Sequence, residues 1–228
     1  MKENEVIGAD GKPIKTPDTP SITQRRNEQR FNGKGAKDSS ASDSTVGIMD
    51  GLNRSLAKYL ISDKIVELLN NQLQDELFNH NLYCTFALYY RSRGIFPLEE
   101  YFMLRAQEEM LHHNWIFGYM AYCGIALQYP SIEAVNVDIQ NDLDPFRLTQ
   151  YKEIETTSTI NEIAKQALAE GDYGTFSWLN GTGAVEGKLI PEQTEEMSIS
   201  NDVYRIAMQD NDWISKADAI LCYYKSKR

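Results

Sequence analysis

The chain has 228 residues, a formal net charge of −10, 42% hydrophobic residues and three cysteines. That length fits one domain with an additional segment, and no apolar run approaches the roughly 18 residues that a membrane span needs. The acidic balance argues against nucleic-acid binding, because no basic face is available to neutralise phosphates. Cys84, Cys123 and Cys222 follow no metal-binding spacing, and residues 1–15 lack the apolar core of a signal peptide. We therefore expect a soluble, cytoplasmic protein with reduced thiols.

The first 55 residues differ in composition from the rest of the chain. They carry nine basic and eight acidic side chains, against 14 basic and 25 acidic side chains in residues 56–228. Gly, Pro and Ser are frequent in this segment, and its apolar residues are too few to offset the entropy of ordering a packed core. We predict a flexible extension over residues 1–55 and a folded domain over residues 56–228. A leftover expression tag or linker is the alternative interpretation of the extension.

Apolar residues at helical spacing begin near Ile61. Ser62 or Asp63 can cap the first helix, and Gly94 ends it. The predicted long helices cover residues 61–93, 98–122, 145–170 and 191–209, and a short fifth helix covers residues 212–224. The segment 125–144 has no clear period and is predicted to be a long crossover loop, packed by Leu127, Tyr129, Ile132 and Val135. Two long helices, a crossover and two more long helices predict an all-α four-helix bundle.

Each long helix places an acidic residue on its apolar face. These residues are Glu76, Glu109, Glu153 and Glu196. On the third helix Glu153 is in phase with Ile163, whereas the neighbouring Glu155 lies off that stripe. Burying a lone carboxylate costs several kcal/mol, so four inward glutamates require partners.

The second helix adds an imidazole to this set. Glu109 and His112 form Glu-x-x-His, a spacing that points both side chains at one spot, and on the fourth helix Gln193 and Glu196 have the same spacing. Carboxylate and imidazole ligands suit Fe, Mn or Zn. We predict a site for two cations in the bundle core, with Glu109 as the bridging ligand. The alternative is that these glutamates lie on the surfaces of amphipathic helices.

Several longer motifs are similar to those of the non-haem bacterial ferritins. They are LNNQLQDEL at 69–77 with Tyr83, RAQEEMLH at 105–112, INEI at 160–163, DYGTF at 172–176 and EQTEE at 192–196. The resemblance covers about residues 61–224. It implies a ferritin-like four-helix bundle that forms an intracellular, hollow cage of 24 subunits, oxidises Fe(II) with dioxygen or peroxide, and stores Fe(III) mineral.

The resemblance also implies a role for each matching residue. The first iron would be held by Glu76, Glu109 and His112, and the second by Glu109, Glu153 and Glu196. A third iron site nearer the cavity would use Glu108, Glu192 and Glu195 together with Glu196. Tyr83 matches a tyrosine that can supply an electron to the dinuclear centre, and Gln193 matches a glutamine that hydrogen-bonds near bound oxygen.

Two features depart from the family pattern. The fourth helix of the family normally runs unbroken into its Glu-Gln motif, but here the glycine-rich segment 180–188 intervenes, followed by Pro191. We predict that the chain leaves helical geometry over 180–188 and resumes it at Pro191, with Gln193 and Glu196 still directed inward. The second departure is the N-terminal extension.

Three other interpretations remain open. Met110 occupies the position of the haem methionine of bacterioferritins, but those proteins carry a second Glu-x-x-His where this chain has Gln193-x-x-Glu196. Rubrerythrin-like peroxidases usually carry a Cys-x-x-Cys module, which is absent here. A non-catalytic shell or partner-binding subunit, disabled by the 180–188 segment, would bind Fe(II) without oxidising it.

Overall fold

The computed structural model describes residues 60–125, 131–210 and 212–228. Within these ranges all regular structure is helical, which confirms the predicted all-α class. The helices are α1 (Asp63–Ser92), α2 (Phe96–Tyr122), α3 (Asp144–Glu170), α4 (Tyr173–Leu179), α5 (Leu189–Ala207) and α6 (Trp213–Lys227). The predicted boundary near residue 55 lies outside the described residues. No helix in the described part of the chain combines the length and apolar character needed to cross a bilayer.

The helix ends follow local sequence signals. The Ser62 side chain accepts a hydrogen bond from the Ile65 backbone N–H at the start of α1, and Asp212 caps α6 in the same way. Gly171 ends α3 with a φ of 71°, a left-handed conformation that a glycine adopts at little cost. These signals explain why most of the predicted bounds agree with the structure to within three residues.

The four long helices form a bundle. Helix α1 packs against α2 and α3, α3 also packs against α5, and α6 packs across α2 and α5. The crossover between α2 and α3 has no regular structure over its described residues, 131–143. Val135 packs partly buried against the core, but Ile132 is exposed, so its predicted packing role is wrong. The other two predicted packing residues, Leu127 and Tyr129, lie outside the described residues.

The bundle core has two apolar clusters with a polar layer between them. One cluster contains Leu73 of α1 and Trp115 of α2, and the other contains Leu82 of α1 and Ala106 of α2. On each of α1, α2, α3 and α5 the inward glutamate falls between residues of the two clusters. The carboxylates are therefore enclosed at both ends by apolar side chains.

The segment before α5 differs in part from the prediction. A short helix, α4, follows α3 as a separate element that the sequence pattern did not predict. The chain then leaves helical geometry over 180–188 as predicted, but α5 begins at Leu189 rather than at Pro191. Pro191 is tolerated because the first backbone N–H groups of a helix have no intrahelical acceptor.

The loop 180–188 folds over Trp178. The indole Nε1 of this buried side chain donates a hydrogen bond to the Glu186 carbonyl oxygen at 3.0 Å, and the ring stacks on Tyr119 with centroids 4.2 Å apart. Gly183 and Gly187 approach the indole so closely that a Cβ atom at either position would lie within 3.0 Å of Trp178 atoms. The inserted segment is thus a packed structure with its own anchor.

Candidate metal centre

One group of ligand side chains lies between α1 and α2. It consists of Glu76, Glu109 and His112, which are all buried and whose ligand atoms lie within 4.8 Å of one another. His112 Nδ1 is 3.9 Å from Glu76 Oε2 and 4.0 Å from Glu109 Oε2. Neither His112 Nδ1 nor Glu76 Oε2 has a hydrogen-bond partner. Since buried polar atoms are normally paired, these two atoms are suited to coordinating a cation.

A second group lies between α2, α3 and α5. Glu109, Glu153 and Glu196 are buried, and their ligand atoms also lie within 4.8 Å of one another. Glu109 belongs to both groups, so a single carboxylate faces two cation positions. A third combination joins His112 and Glu196 to Glu192, which is only partly buried.

Burial sets the protonation of this centre. Desolvation raises the pKa of Glu76 to about 7, and it raises the pKa values of Glu109 and Glu196 well above the ordinary range. The same burial lowers the pKa of His112 to about 3, helped by the positive charge of Arg105. His112 is therefore neutral at physiological pH, which is the form that binds metals.

The Glu76 carboxylate is oriented by a chain of hydrogen bonds. Gln72 Nε2 donates to Glu76 Oε1 at 2.7 Å, and Thr159 Oγ1 donates to Gln72 Oε1 at 2.5 Å. The Thr159 contact fixes the orientation of the Gln72 amide, so the amide nitrogen faces Glu76 Oε1. The other carboxylate oxygen, Oε2, then faces His112.

Both oxygens of Glu153 accept hydrogen bonds. Tyr83 Oη donates to Glu153 Oε1 at 2.6 Å, and Gln193 Nε2 donates to Glu153 Oε2 at 2.7 Å. Burial raises the pKa of Tyr83 well above its ordinary value. The two residues that the resemblance places beside the centre thus both contact a predicted ligand.

A buried arginine shares the second group. Arg105 lies one turn before Glu109 on α2 and is 1% exposed. Its guanidinium contacts Glu153 closely, lies 3.2 Å from Glu196 and lies 3.7 Å from Glu109. It also donates to Glu108 Oε2 at 2.9 Å. Four carboxylates therefore surround this one cation.

The remaining predicted ligands surround a second guanidinium, that of Arg228. Its Nε lies 2.5 Å from Glu108, and its Nη1 lies 2.7 Å from Glu192 and 3.4 Å from Glu195. Its Nη2 lies 3.0 Å from Glu196, so this outer cluster adjoins the buried centre. Lys188, which immediately precedes α5, also contacts Glu192, and these contacts lower the pKa of that carboxyl although its partial burial acts to raise it.

The structure brings together every predicted site residue, in an inner and an outer group. It adds five residues to which the sequence pattern assigned no role: Gln72, Arg105, Thr159, Lys188 and Arg228. Gln72 and Arg105 each lie four residues before a predicted ligand on the same helix face, a spacing that identifies them as neighbours of the site. Arg228 is more than 30 residues from its partners on α5, so helical periodicity carries no signal for it.

Comparisons with known proteins agree with this arrangement. A family model described as a ferritin-like domain matches residues 66–185, and the match ends within the 180–188 loop before α5. A bacterial non-heme ferritin of Staphylococcus aureus is 26% identical over 140 residues, covering 61% of this chain and 80% of that protein. A probable bacterial non-heme ferritin-like protein of Haemophilus influenzae is 26% identical over 144 residues, covering 63% of this chain and 83% of that protein.

Solved structures give the same result for the fold. An open-pore ferritin from Archaeoglobus fulgidus is 25% identical and superposes with a TM-score of 0.61, covering 73% of this chain and 96% of that structure. A closed form of the same ferritin, engineered by mutagenesis, gives a TM-score of 0.63 at 26% identity and covers 71% of this chain and 96% of that structure. The family match spans more than half of the 228 residues and the helices, crossover and buried carboxylates fit it, so this chain belongs to the ferritin-like family.

Proposed function

We propose that this protein is an iron-storage ferritin that oxidises Fe(II) at a dinuclear centre and retains Fe(III) as mineral inside a multi-subunit cage. Family membership supports iron storage and self-association. The observation that carries the proposal of oxidation is the pair of buried ligand groups that share Glu109. Burying an unpaired carboxylate is costly, and two cations bound at this centre would compensate the charges of all four buried carboxylates.

In this proposal Glu76, Glu109 and His112 hold one Fe(II), and Glu109, Glu153 and Glu196 hold the other. Each Fe(II) gives up one electron. Dioxygen takes up the two electrons with two protons to become hydrogen peroxide, or peroxide takes up two electrons and two protons to become water. Hydrolysis of Fe(III) then releases protons as mineral forms. The protein contributes the spacing of the ions and a negative environment that favours Fe(III) over Fe(II).

The neighbouring residues support this chemistry in distinct ways. Tyr83 would supply an electron to the centre, and its hydrogen bond to Glu153 supports this role. Gln193, which donates to the other Glu153 oxygen, holds that ligand and can hydrogen-bond near bound oxygen. Glu108, Glu192 and Glu195 would form a third iron position in the outer cluster.

The test of this proposal is aerobic Fe(II) oxidation by the purified protein, followed by the near-ultraviolet absorbance of Fe(III). We expect oxidation well above the background rate and an assembly mass, from size-exclusion chromatography, that matches a cage of many subunits; 24 is the number that the resemblance implies. Glu109→Ala should abolish rapid oxidation, because the ligand shared by both iron positions is lost. Helicity and assembly should not change, because removing one of several buried carboxyls relieves the repulsion among their charged forms.

Glu155→Ala is the matched control. This glutamate is two residues from Glu153 but pairs with Lys152 and has 38% of its side chain exposed. Oxidation by this variant should equal that of the wild type. Wild-type kinetics in Glu109→Ala would refute the dinuclear assignment.

A second function has specific support. Arg105 and Arg228 bring positive charge into the two carboxylate groups, and a permanent cation in a metal site suits a non-catalytic shell subunit. Stoichiometric Fe(II) binding with no oxidation above background would identify that subunit and exclude the ferroxidase.

A further inference from the structure

The two ligand groups differ in how many of their lone pairs are free. In the group of Glu76, Glu109 and His112, the buried atoms Glu76 Oε2 and His112 Nδ1 have no hydrogen-bond partner. In the other group, Glu153 Oε1 accepts from both Tyr83 and Arg105, and Glu153 Oε2 accepts from Gln193. Glu196 Oε2 of the second group also lacks a hydrogen-bond partner, but neither oxygen of Glu153 is free, so a cation can enter this group only after Glu153 is released.

Arg105 is the side chain responsible for most of this difference. Its two terminal nitrogens contact all three carboxylates of the second group, Glu109, Glu153 and Glu196. A metal ion bound to those carboxylates would need their oxygens at about 2 Å, which would place it next to the guanidinium. Two cations at contact distance repel each other strongly in a buried site. The guanidinium and a second metal ion therefore exclude each other.

The position of Arg105 also shows where the guanidinium can go. Its Nη1 already contacts Glu108 Oε2 at 2.9 Å, and 18% of the Glu108 side chain is exposed. A rotation of the long side chain about its flexible bonds can retain this contact while the guanidinium leaves Glu153. Arginine is always charged, so the contest with the metal does not depend on protonation of the guanidinium.

We propose that Arg105 is a built-in competitor for the second cation position, so that one ion binds first at Glu76, Glu109 and His112 and the second binds only when the guanidinium withdraws from Glu153. This inference rests on the proposed dinuclear site. Arg105 then sets the order in which the two positions are filled and lowers the affinity for the second ion. It also keeps the carboxylates of the second group compensated until that ion arrives.

The experiment is a Co(II) titration of the metal-free full-length protein, followed by calorimetry and by the visible absorbance of bound Co(II). In the wild type the first ion per subunit should bind at least tenfold more tightly than the second. Arg105→Gln should raise the affinity for the second ion at least tenfold and leave the first nearly unchanged. Arg105→Lys, which keeps the charge but offers one nitrogen in place of two, should raise the affinity for the second ion by less than Arg105→Gln does.

Two controls fix the location of the effect. Arg91→Gln removes a mostly exposed arginine that pairs with Glu99, and it should change neither affinity. Adding Glu153→Gln to Arg105→Gln should cancel the gain, because the second position then loses a ligand. A gain that survives Glu153→Gln would place the second ion elsewhere and overturn the proposal.

The outcomes separate this inference from the proposed function. Equal affinities for two ions in the wild type overturn the role of Arg105 without needing any variant to fold, and so does a second-ion affinity that Arg105→Gln does not raise. Either result leaves oxidation to be judged by its own assay. If the two ions bind stepwise, the affinity for the second rises in Arg105→Gln, and the protein does not oxidise Fe(II), the role of Arg105 is supported and the proposed ferroxidase activity is excluded.

Discussion

Replacing Glu76 with glutamine should make the metal-free protein more stable, and increasingly so as the pH rises. Glu76 is fully buried, and desolvation raises its pKa from 4.5 to about 7. A raised pKa means that the folded protein holds a proton that the unfolded chain releases above pH 4.5. The free energy of unfolding therefore falls as the pH rises from about 4.5 to about 7 and stays low above that range. The substituted glutamine side chain would carry no charge at any pH, and its amide oxygen can still accept the hydrogen bond from Gln72.

The size of the effect follows from this shift. Linkage predicts that Glu76→Gln gains about 1 kcal/mol at pH 5 and about 3 kcal/mol at pH 8 relative to the wild type. The measurement is guanidinium unfolding of chelator-treated protein at both pH values, at one protein concentration, because assembly contributes to the stability of an oligomer. Glu162→Gln, at an exposed position on α3, is the control and should differ little from the wild type at either pH.

Two results would refute this reasoning: a stability difference that is the same at pH 5 and pH 8, or a loss of stability at pH 8. Saturation with Co(II) supplies a further check. Metal binding to the native protein adds about 2.7 kcal/mol at a free concentration 100 times the dissociation constant. Glu76→Gln lacks one of the metal ligands. Adding Co(II) should therefore raise the free energy of unfolding of the wild type by more than that of the variant, and so reduce or reverse the difference between them.

Two other substitutions test the loop and the outer cluster. Gly187→Ala drives a Cβ atom into the Trp178 indole at a φ of 155°, and it should destabilise the fold by on the order of 1–3 kcal/mol from backbone strain alone. Gly118→Ala, in α2, adds a Cβ atom with no other atom within 4 Å, and it should stabilise the fold by about 0.5–1 kcal/mol. Thermal melting compares the two variants. Arg228→Gln should increase Co(II) binding at the outer cluster around Glu192 severalfold, because the guanidinium no longer occupies the carboxylate oxygens there. Unchanged Co(II) binding would show that Arg228 does not limit access to that cluster.

The long helices could be predicted because their apolar spacing persists over many turns. Helix-breaking residues such as Gly171 mark where that spacing stops, so the ends of the helices could be predicted as well. Helix α4 could not be predicted in this way, since seven residues give fewer than two repeats of the pattern. Its Asp172 cap, which accepts from the Thr175 backbone N–H, was the one local signal available.

The four inward carboxylates could be predicted for the same reason, because a helix face is a local property. The cations beside them could not. Arginine is almost never fully buried unless it is paired, so its charge alone suggests a solvated side chain at position 105. Only the tertiary structure shows that Glu153 and Glu196, from two other helices, provide the pairing. The contacts of Arg228 depend on where α6 ends in space.

The inserted loop leaves the ligands of α5 in register because a buried residue before Pro191 determines where the helix restarts. Leu189 is 1% exposed and packs in the same apolar cluster as Trp178, which the loop encloses. Four and seven residues after Leu189 come Gln193 and Glu196, so one helix face carries the anchor and both site residues. A loop of different length would be tolerated as long as Leu189 reached the core. A change that released Leu189 would instead rotate the whole face and remove Glu196 from Glu109 and Glu153. The arrangement of the centre therefore depends on apolar packing one turn before its first α5 residue.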